Sequence, residues 1–184
     1  MQHEGASAPF SFLSLPFPAF RTAELRAPYP VATYPLAAPL PDAFPVVLDT
    51  NVVLSLWMFE DPSLARLRQA VESGALRPFT REDCLGELAR VLAYSQFKQP
   101  EERQLAIASA YRARCTLIDA PPEGACELPH CLDRDDQKFL EVARDSGAQA
   151  LLSRDKLVLK LGRRPVIAAR YAILTPERLQ ALLG

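Results

Sequence analysis

The chain is poor in the residues that several chemistries need. Histidine occurs twice, at His3 and His130, so a His-paired ribonuclease mechanism or a Ser/His/Asp triad has little support. Glycine numbers only 7, and neither a P-loop nor a Gly-x-Gly-x-x-Gly turn is present. The four cysteines, Cys84, Cys115, Cys126 and Cys131, are too few to staple a chain of 184 residues. They read as reduced thiols of a cytoplasmic protein, with Cys84 and Cys115 as small core residues. Cys126, His130 and Cys131 lack the fourth ligand and the paired spacing of a zinc site, so a loop thiol is the simpler reading. No apolar run approaches the roughly 20 residues of a membrane span. The N-terminus has no basic start, and Pro9, Pro16 and Pro18 interrupt Phe10–Phe20, which argues against a signal peptide. An excess of charge is missing too: Lys+Arg is 21 and Asp+Glu is 22, for a net charge of -1. That excludes a strongly basic nucleic-acid coat but not a nucleic-acid enzyme, for which local charge decides.

What is present is a soluble globular composition, 49% hydrophobic and 23% charged, with one feature out of scale. Proline numbers 17, and Pro9, Pro16, Pro18, Pro28, Pro30, Pro35, Pro39, Pro41 and Pro45 crowd the first 45 positions. Such a stretch is not expected to hold a helix or a central strand. Residues 1–45 therefore read as a Pro/Ala-rich extension, partly disordered, and residues 46–184 as one domain. A docking arm built on Phe10, Phe12, Phe17 and Phe20 is the alternative to a tail without function.

From Val46 the texture alternates. Val46–Leu48, Leu76–Phe79, Thr116–Ile118, Ala150–Leu152 and Tyr171–Leu174 are expected strands. Helices are expected over Ser63–Ser73, after a capping box at Thr80–Asp83, over Glu101–Arg114, over Asp135–Ser146 with Gly147 as its stop, and from Pro176. Trp57 is expected in the core. Strands alternating with helices imply an α/β fold with a mostly parallel sheet covered on both faces.

In such a sheet ligands bind at the carboxyl ends of the strands. Asp49 and Asp155 both follow strands, Asp136 starts a helix, and Glu87 lies on a helix that can pack beside them. Carboxylates gathered in one crevice raise each other's pKa, and a hard cation removes that cost. Mg²⁺ binds through a few carboxylates plus substrate phosphates, and such a site activates water against a phosphodiester. Taken singly, each acid has a plainer role as a turn, cap or solvated residue. Asp49-Thr50-Asn51 superficially matches a phosphatase Asp-x-Asp motif but lacks the second carboxylate. Arg154, Lys156, Lys160, Arg163, Arg164, Arg170 and Arg178 face only Asp155 and Glu177 in the last segment, an excess of about five positive charges suited to a phosphate backbone.

Residues 46–184 resemble the PIN domain family, and within it the toxin components of type II toxin–antitoxin systems. The carrying motifs are Val-Val-Leu-Asp-Thr-Asn51, Glu-Leu-Ala-Arg-Val-Leu92, Cys-Leu-Asp-Arg-Asp-Asp-Gln-Lys-Phe-Leu140, Leu-Leu-Ser-Arg-Asp-Lys156 and Ile-Leu-Thr-Pro-Glu-Arg-Leu179. The resemblance implies a three-layer sandwich with a small, mostly parallel sheet. It implies a Mg²⁺- or Mn²⁺-dependent ribonuclease whose catalytic, metal-binding acids are Asp49, Glu87, Asp136 and Asp155, with Asp133 as a further candidate. Thr50, Asn51 and Ser153 would support the site, and Arg154 and Lys156 would bind RNA. A cognate antitoxin and a second copy of the chain are the protein partners it implies. The alternative is a PIN fold that binds RNA or protein without cutting. Many relatives carry a further acid two residues after the last aspartate; here that place is Leu157, which bears on a second metal position.

Overall fold

The computed structural model describes residues 36–119, 125 and 127–183. The proposed arm at Phe10–Phe20 lies outside them, as does Cys126. Five strands form one parallel sheet: β1 (Phe44–Leu48), β2 (Leu76–Thr80), β3 (Thr116–Leu117), β4 (Ala150–Leu152) and β5 (Ala172–Leu174), in the order β3-β2-β1-β4-β5. The expected α/β class holds, and every strand pairing is parallel.

Side chains alternate across each strand, as period-two geometry requires. Val46, Leu48, Ala150, Leu152, Ala172 and Leu174 turn to one face. Val47, Phe79, Leu151 and Ile173 turn to the other. The first face is covered by α1 (Thr50–Val53), its π-helical continuation Leu54–Met58, α2 (Ala65–Glu72), α3 (Glu82–Leu92), α4 (Glu101–Arg112) and α8 (Pro176–Gln180). The second is covered by α5 (Gln137–Asp145), α6 (Lys156–Leu161) and α7 (Pro165–Ala168). Both faces are buried, and each buried Leu or Phe contributes about 1.5–3 kcal/mol to keeping them so. Trp57 is buried as expected, against Tyr111 with ring centroids 5.5 Å apart.

Pro45 departs from the expectation. It lies inside β1, the central strand, which begins at Phe44 rather than Val46. The register supplies the reason. The Asp49 N–H reaches the Leu152 carbonyl and the Gln149 N–H reaches the Pro45 carbonyl, so odd-numbered residues of β1 face β4. β4 begins at Ala150, opposite Val46, so the missing Pro45 N–H falls where β4 has no acceptor to offer. Ahead of the strand, Leu36 and Leu40 pack against the core.

The helix after β2 also starts differently. Thr80 is buried as the last residue of β2, and Arg81 is the cap of α3, without a side-chain cap bond. Asp83 lies in the first turn. Its Oδ1 accepts the Cys84 N–H at 2.9 Å, and Arg81 grips the same carboxylate. Other expectations hold closely. Gly147, at φ 67°, closes α5 with its N–H on the Arg144 carbonyl, and the Ala148 N–H reaches the Ala143 carbonyl. Thr175 caps α8, with Pro176 at its first position.

Candidate active site

β1 and β4 are neighbours, so the residues that leave their carboxyl ends meet. Asp49 follows β1 directly and is 3% exposed. Its backbone carbonyl takes the N–H groups of Val52 and Val53, starting α1. Two donors converge on Asp49 Oδ2: Asn51 Nδ2 at 2.7 Å and Ser153 Oγ at 2.6 Å. Burial dominates nonetheless and raises the Asp49 pKa, the hydrogen bonds from Ser153 and Asn51 offsetting part of it.

Ser153, just beyond β4, is fully buried and serves both strand ends. While its hydroxyl donates to Asp49, its oxygen accepts the Asp155 N–H at 3.0 Å. Asn51 makes a second bridge, its Oδ1 accepting the Arg154 N–H at 3.1 Å. Asp155 caps α6, with Oδ1 accepting from the N–H groups of Leu157 and Val158 at 2.6 and 3.1 Å. That fixes the carboxylate and leaves Oδ2 for other partners.

Glu87 arrives from the middle of α3. Its Oε1 accepts from Thr50 Oγ1 at 2.6 Å, and its Oε2 meets the Lys138 ammonium. Asp136 is the N-cap residue of α5, with no side-chain cap bond. Its pKa is pushed up to about 7, by burial first and then by the negative charges of Asp49, Asp133, Asp155 and Glu87. The Cys131 thiol is pushed up to about 11, again by burial first and then by Asp136, Asp155, Asp133 and Asp49. Two unlike groups thus feel the same acids, so these carboxylates share one region of the molecule. Asp133 stands at its exposed rim, where Oδ1 accepts the Asp135 N–H at 2.9 Å.

The candidate substrate residues divide. Lys156 opens α6, exposed. The Arg154 guanidinium instead bonds Glu177 at 2.6 Å and Asp61 at 3.4 Å, turning from the neighbouring Asp155 toward α8. Exposed pairs of this kind are worth about 0–1 kcal/mol, so a phosphate could displace them.

The residues pattern of the PIN domain matches residues 45–157, more than half of the chain. The chain belongs to the PIN domain family. PIN domains are generally nucleases and typically use divalent metals. The match takes in Asp49, Glu87, Asp136 and Asp155 but ends before the Ile173–Leu179 motif. Curated proteins give no significant match.

The donor set of this PIN domain is the kind a hard divalent cation takes, carboxylate oxygens only. Burial first and the neighbouring charges next push the Asp136 pKa up to about 7, and the repulsion among the acids is what such an ion would relieve. In chemistry the residues fit. In position, no group of three His, Cys, Asp or Glu side chains among the described residues is arranged to hold an ion as it stands. That bears equally on the zinc idea, of which His130 and Cys131 remain among the described residues; Cys131 packs into the second core. No helix among the described residues is long and apolar enough to cross a membrane.

Lys138 is the residue that reading the sequence overlooked. The signal was a cation two places beyond Asp136, inside a run of acids.

Proposed function

We propose that this PIN domain is a metal-dependent endoribonuclease that hydrolyses phosphodiester bonds in single-stranded RNA. The observation that carries the reading is the gathering of Asp49, Glu87, Asp133 and Asp155 around Asp136, whose pKa is pushed up to about 7 by burial first and then by their charges. Among the described residues only Glu87 of these acids has an internal cation, Lys138, and the charge left on the others suits an external cation.

Asp49, Asp136 and Asp155 would hold Mg²⁺ or Mn²⁺, with Glu87 beside them and Asp133 at the rim. The chemistry such a cation supplies is a water made nucleophilic near neutral pH and neutralised charge on the leaving oxygen. The chain's own residues do the positioning. Ser153 and Asn51 hold Asp49 oriented and favour its ionised form. Thr50 fixes Glu87, and the first turn of α6 fixes Asp155. Lys156, Lys160, Arg163 and Arg164 are exposed along α6 and just beyond it, a path for the phosphate backbone leading from Asp155.

As a toxin, the chain would be silenced by an antitoxin that places a basic side chain in the acidic crevice. That partner and a homodimer belong to the same proposal, as does a cytoplasmic setting.

A second reading, RNA binding without cleavage, draws on one observation: as they stand, the acids do not jointly grip an ion. The two readings part in one experiment. Labelled single-stranded RNA is incubated with the protein in Mg²⁺, in Mn²⁺ and in EDTA, beside the Asp49→Asn variant. Cleavage that needs metal and is lost in Asp49→Asn supports the nuclease. RNA retained at full affinity in EDTA, with no product in either metal, supports the binding module.

A further inference from the structure

Glu87 and Lys138 form an ion pair between α3 and α5, with side chains only 12% and 14% exposed. Lys138 is not a wandering surface lysine. Its ammonium also donates to the Asp135 carbonyl at 2.6 Å, and it lies 5.4 Å from the centroid of the Phe139 ring. Three contacts from two elements fix a positive charge within the acidic cluster.

Glu87 thereby has a partner at each oxygen: Thr50 Oγ1 donates to Oε1, and the Lys138 ammonium pairs with Oε2 by charge, without hydrogen-bond geometry. Its neighbours differ. Among the described residues the Asp136 carboxylate accepts no side-chain cap bond at its helix, and Asp155 uses only Oδ1 in its cap. Asp49 collects its side-chain donors on Oδ2. Three acids of the cluster therefore have no internal cation on them among the described residues, and the fourth is neutralised from within. A half-buried pair of this kind is costly to break from one side, because the partner left behind keeps its charge without compensation.

We propose that Lys138 is a built-in cation that takes the place of a second divalent ion at Glu87. The site then binds one metal, on Asp49, Asp136 and Asp155, while Glu87 and Lys138 act as a positioning pair rather than as ligand and bystander. This inference rests on the reading of the crevice as a divalent-cation site, and it revises the role of Glu87 within that reading.

The test counts Mn²⁺ bound to the full chain, by calorimetry and by electron paramagnetic resonance of the free ion, with folding checked by circular dichroism. Wild type is expected to bind one ion, Lys138→Met to gain a second, weaker one, and Lys138→Arg to stay at one. The double variant Lys138→Met/Glu87→Gln is expected to return to one, since the second ion needs the released carboxylate. Two ions on wild type would overturn the inference, as would a folded Lys138→Met that still binds one. Should Lys138→Met fail to fold, Glu87→Gln decides: one ion retained at wild-type affinity supports the inference, and loss of that ion, which would make Glu87 its ligand, overturns it. No Mn²⁺ binding by wild type would overturn the metal-site reading itself, a result distinct from either count.

Discussion

Ser153 and Asp49 stand 104 positions apart in the chain and meet through a hydrogen bond of 2.6 Å between Ser153 Oγ and Asp49 Oδ2. The contact exists because β1 and β4 are adjacent and in register, with Leu48 opposite Leu152. Through its other lone pair the same hydroxyl receives the Asp155 N–H, so one buried oxygen sets the spacing of two acids. Ser153→Ala should remove that tie without leaving a cavity of consequence. The loss of a hydrogen bond to a buried charged group costs about 1.5–3 kcal/mol. The Asp49 pKa, already raised by burial, should rise further, since Ser153 is the largest influence lowering it. Denaturant melts of the metal-free protein at pH 5 and pH 8 test this, with the larger loss expected at pH 8. Cleavage should fall about 10–100-fold, as for other residues that orient metal-binding groups.

Asp136 predicts how stability depends on pH. Its pKa in the folded protein is about 7, against an ordinary value of 3.8. The folded protein therefore holds a proton that the unfolded chain releases. The stability this proton contributes is full below the ordinary value and is lost as pH rises to about 7. Metal-free wild type should melt at lower temperature at pH 7.5 than at pH 5.5. Asp136→Asn carries no such proton, so its melting temperature should change less across the same range and exceed wild type at pH 7.5. Added Mn²⁺ should raise the melting temperature of wild type at pH 7.5 and do little for the variant. Equal pH slopes in the two metal-free proteins would show that folding does not raise the Asp136 pKa.

The sheet and the strand-end acids were legible because each follows from a local pattern. Val46-Val47-Leu48 and Ala150-Leu151-Leu152 are short apolar runs that only a covered strand can use, and Asp49 and Asp155 come just after them. Asp136 was legible as the start of a helix. Pro45 was not, because a proline is tolerated in a central strand only through the length of its neighbour, and no local signal gives that length. The capping box at Thr80 failed for a similar reason: the strand claimed Thr80, and the cap of α3 fell to Arg81, without a side-chain cap bond. The partners of Arg154 and Lys138 were the least legible. Glu177, Asp61 and Glu87 reach them from other elements, and which helix faces which is decided by packing on the two faces of the sheet.

Arg154 offers a separation of anchoring from binding. Its backbone N–H holds Asn51 Oδ1 while its side chain rests on Glu177 and Asp61. Arg154→Ala keeps the first contact and removes the second. Both lost pairs are exposed, so stability should change by less than about 1 kcal/mol. An RNA phosphate that recruits the guanidinium would be missed by the variant as a rise in KM at nearly constant kcat. A steady KM would leave Arg154 as part of the seat of α8 alone.

Lys156 and Lys160 lie four residues apart on α6, so both project along one side of it, one turn from the other. Asp155 caps the same helix, which puts the start of this cationic path beside the acids. Each cation that neutralises a phosphate releases a counterion, and single strands give a slope of about −0.7 in log affinity against log salt per contact. Replacing both lysines with Gln should therefore reduce the salt slope of RNA binding by about 1.4, two contacts at that value. Binding is measured by fluorescence anisotropy in EDTA, so that cleavage does not intrude. The loss should be similar for RNAs of different sequence, because phosphate contacts carry no base information. An unchanged slope would take the phosphate backbone off α6, and with it the directional path from Asp155 that the exposed cations define.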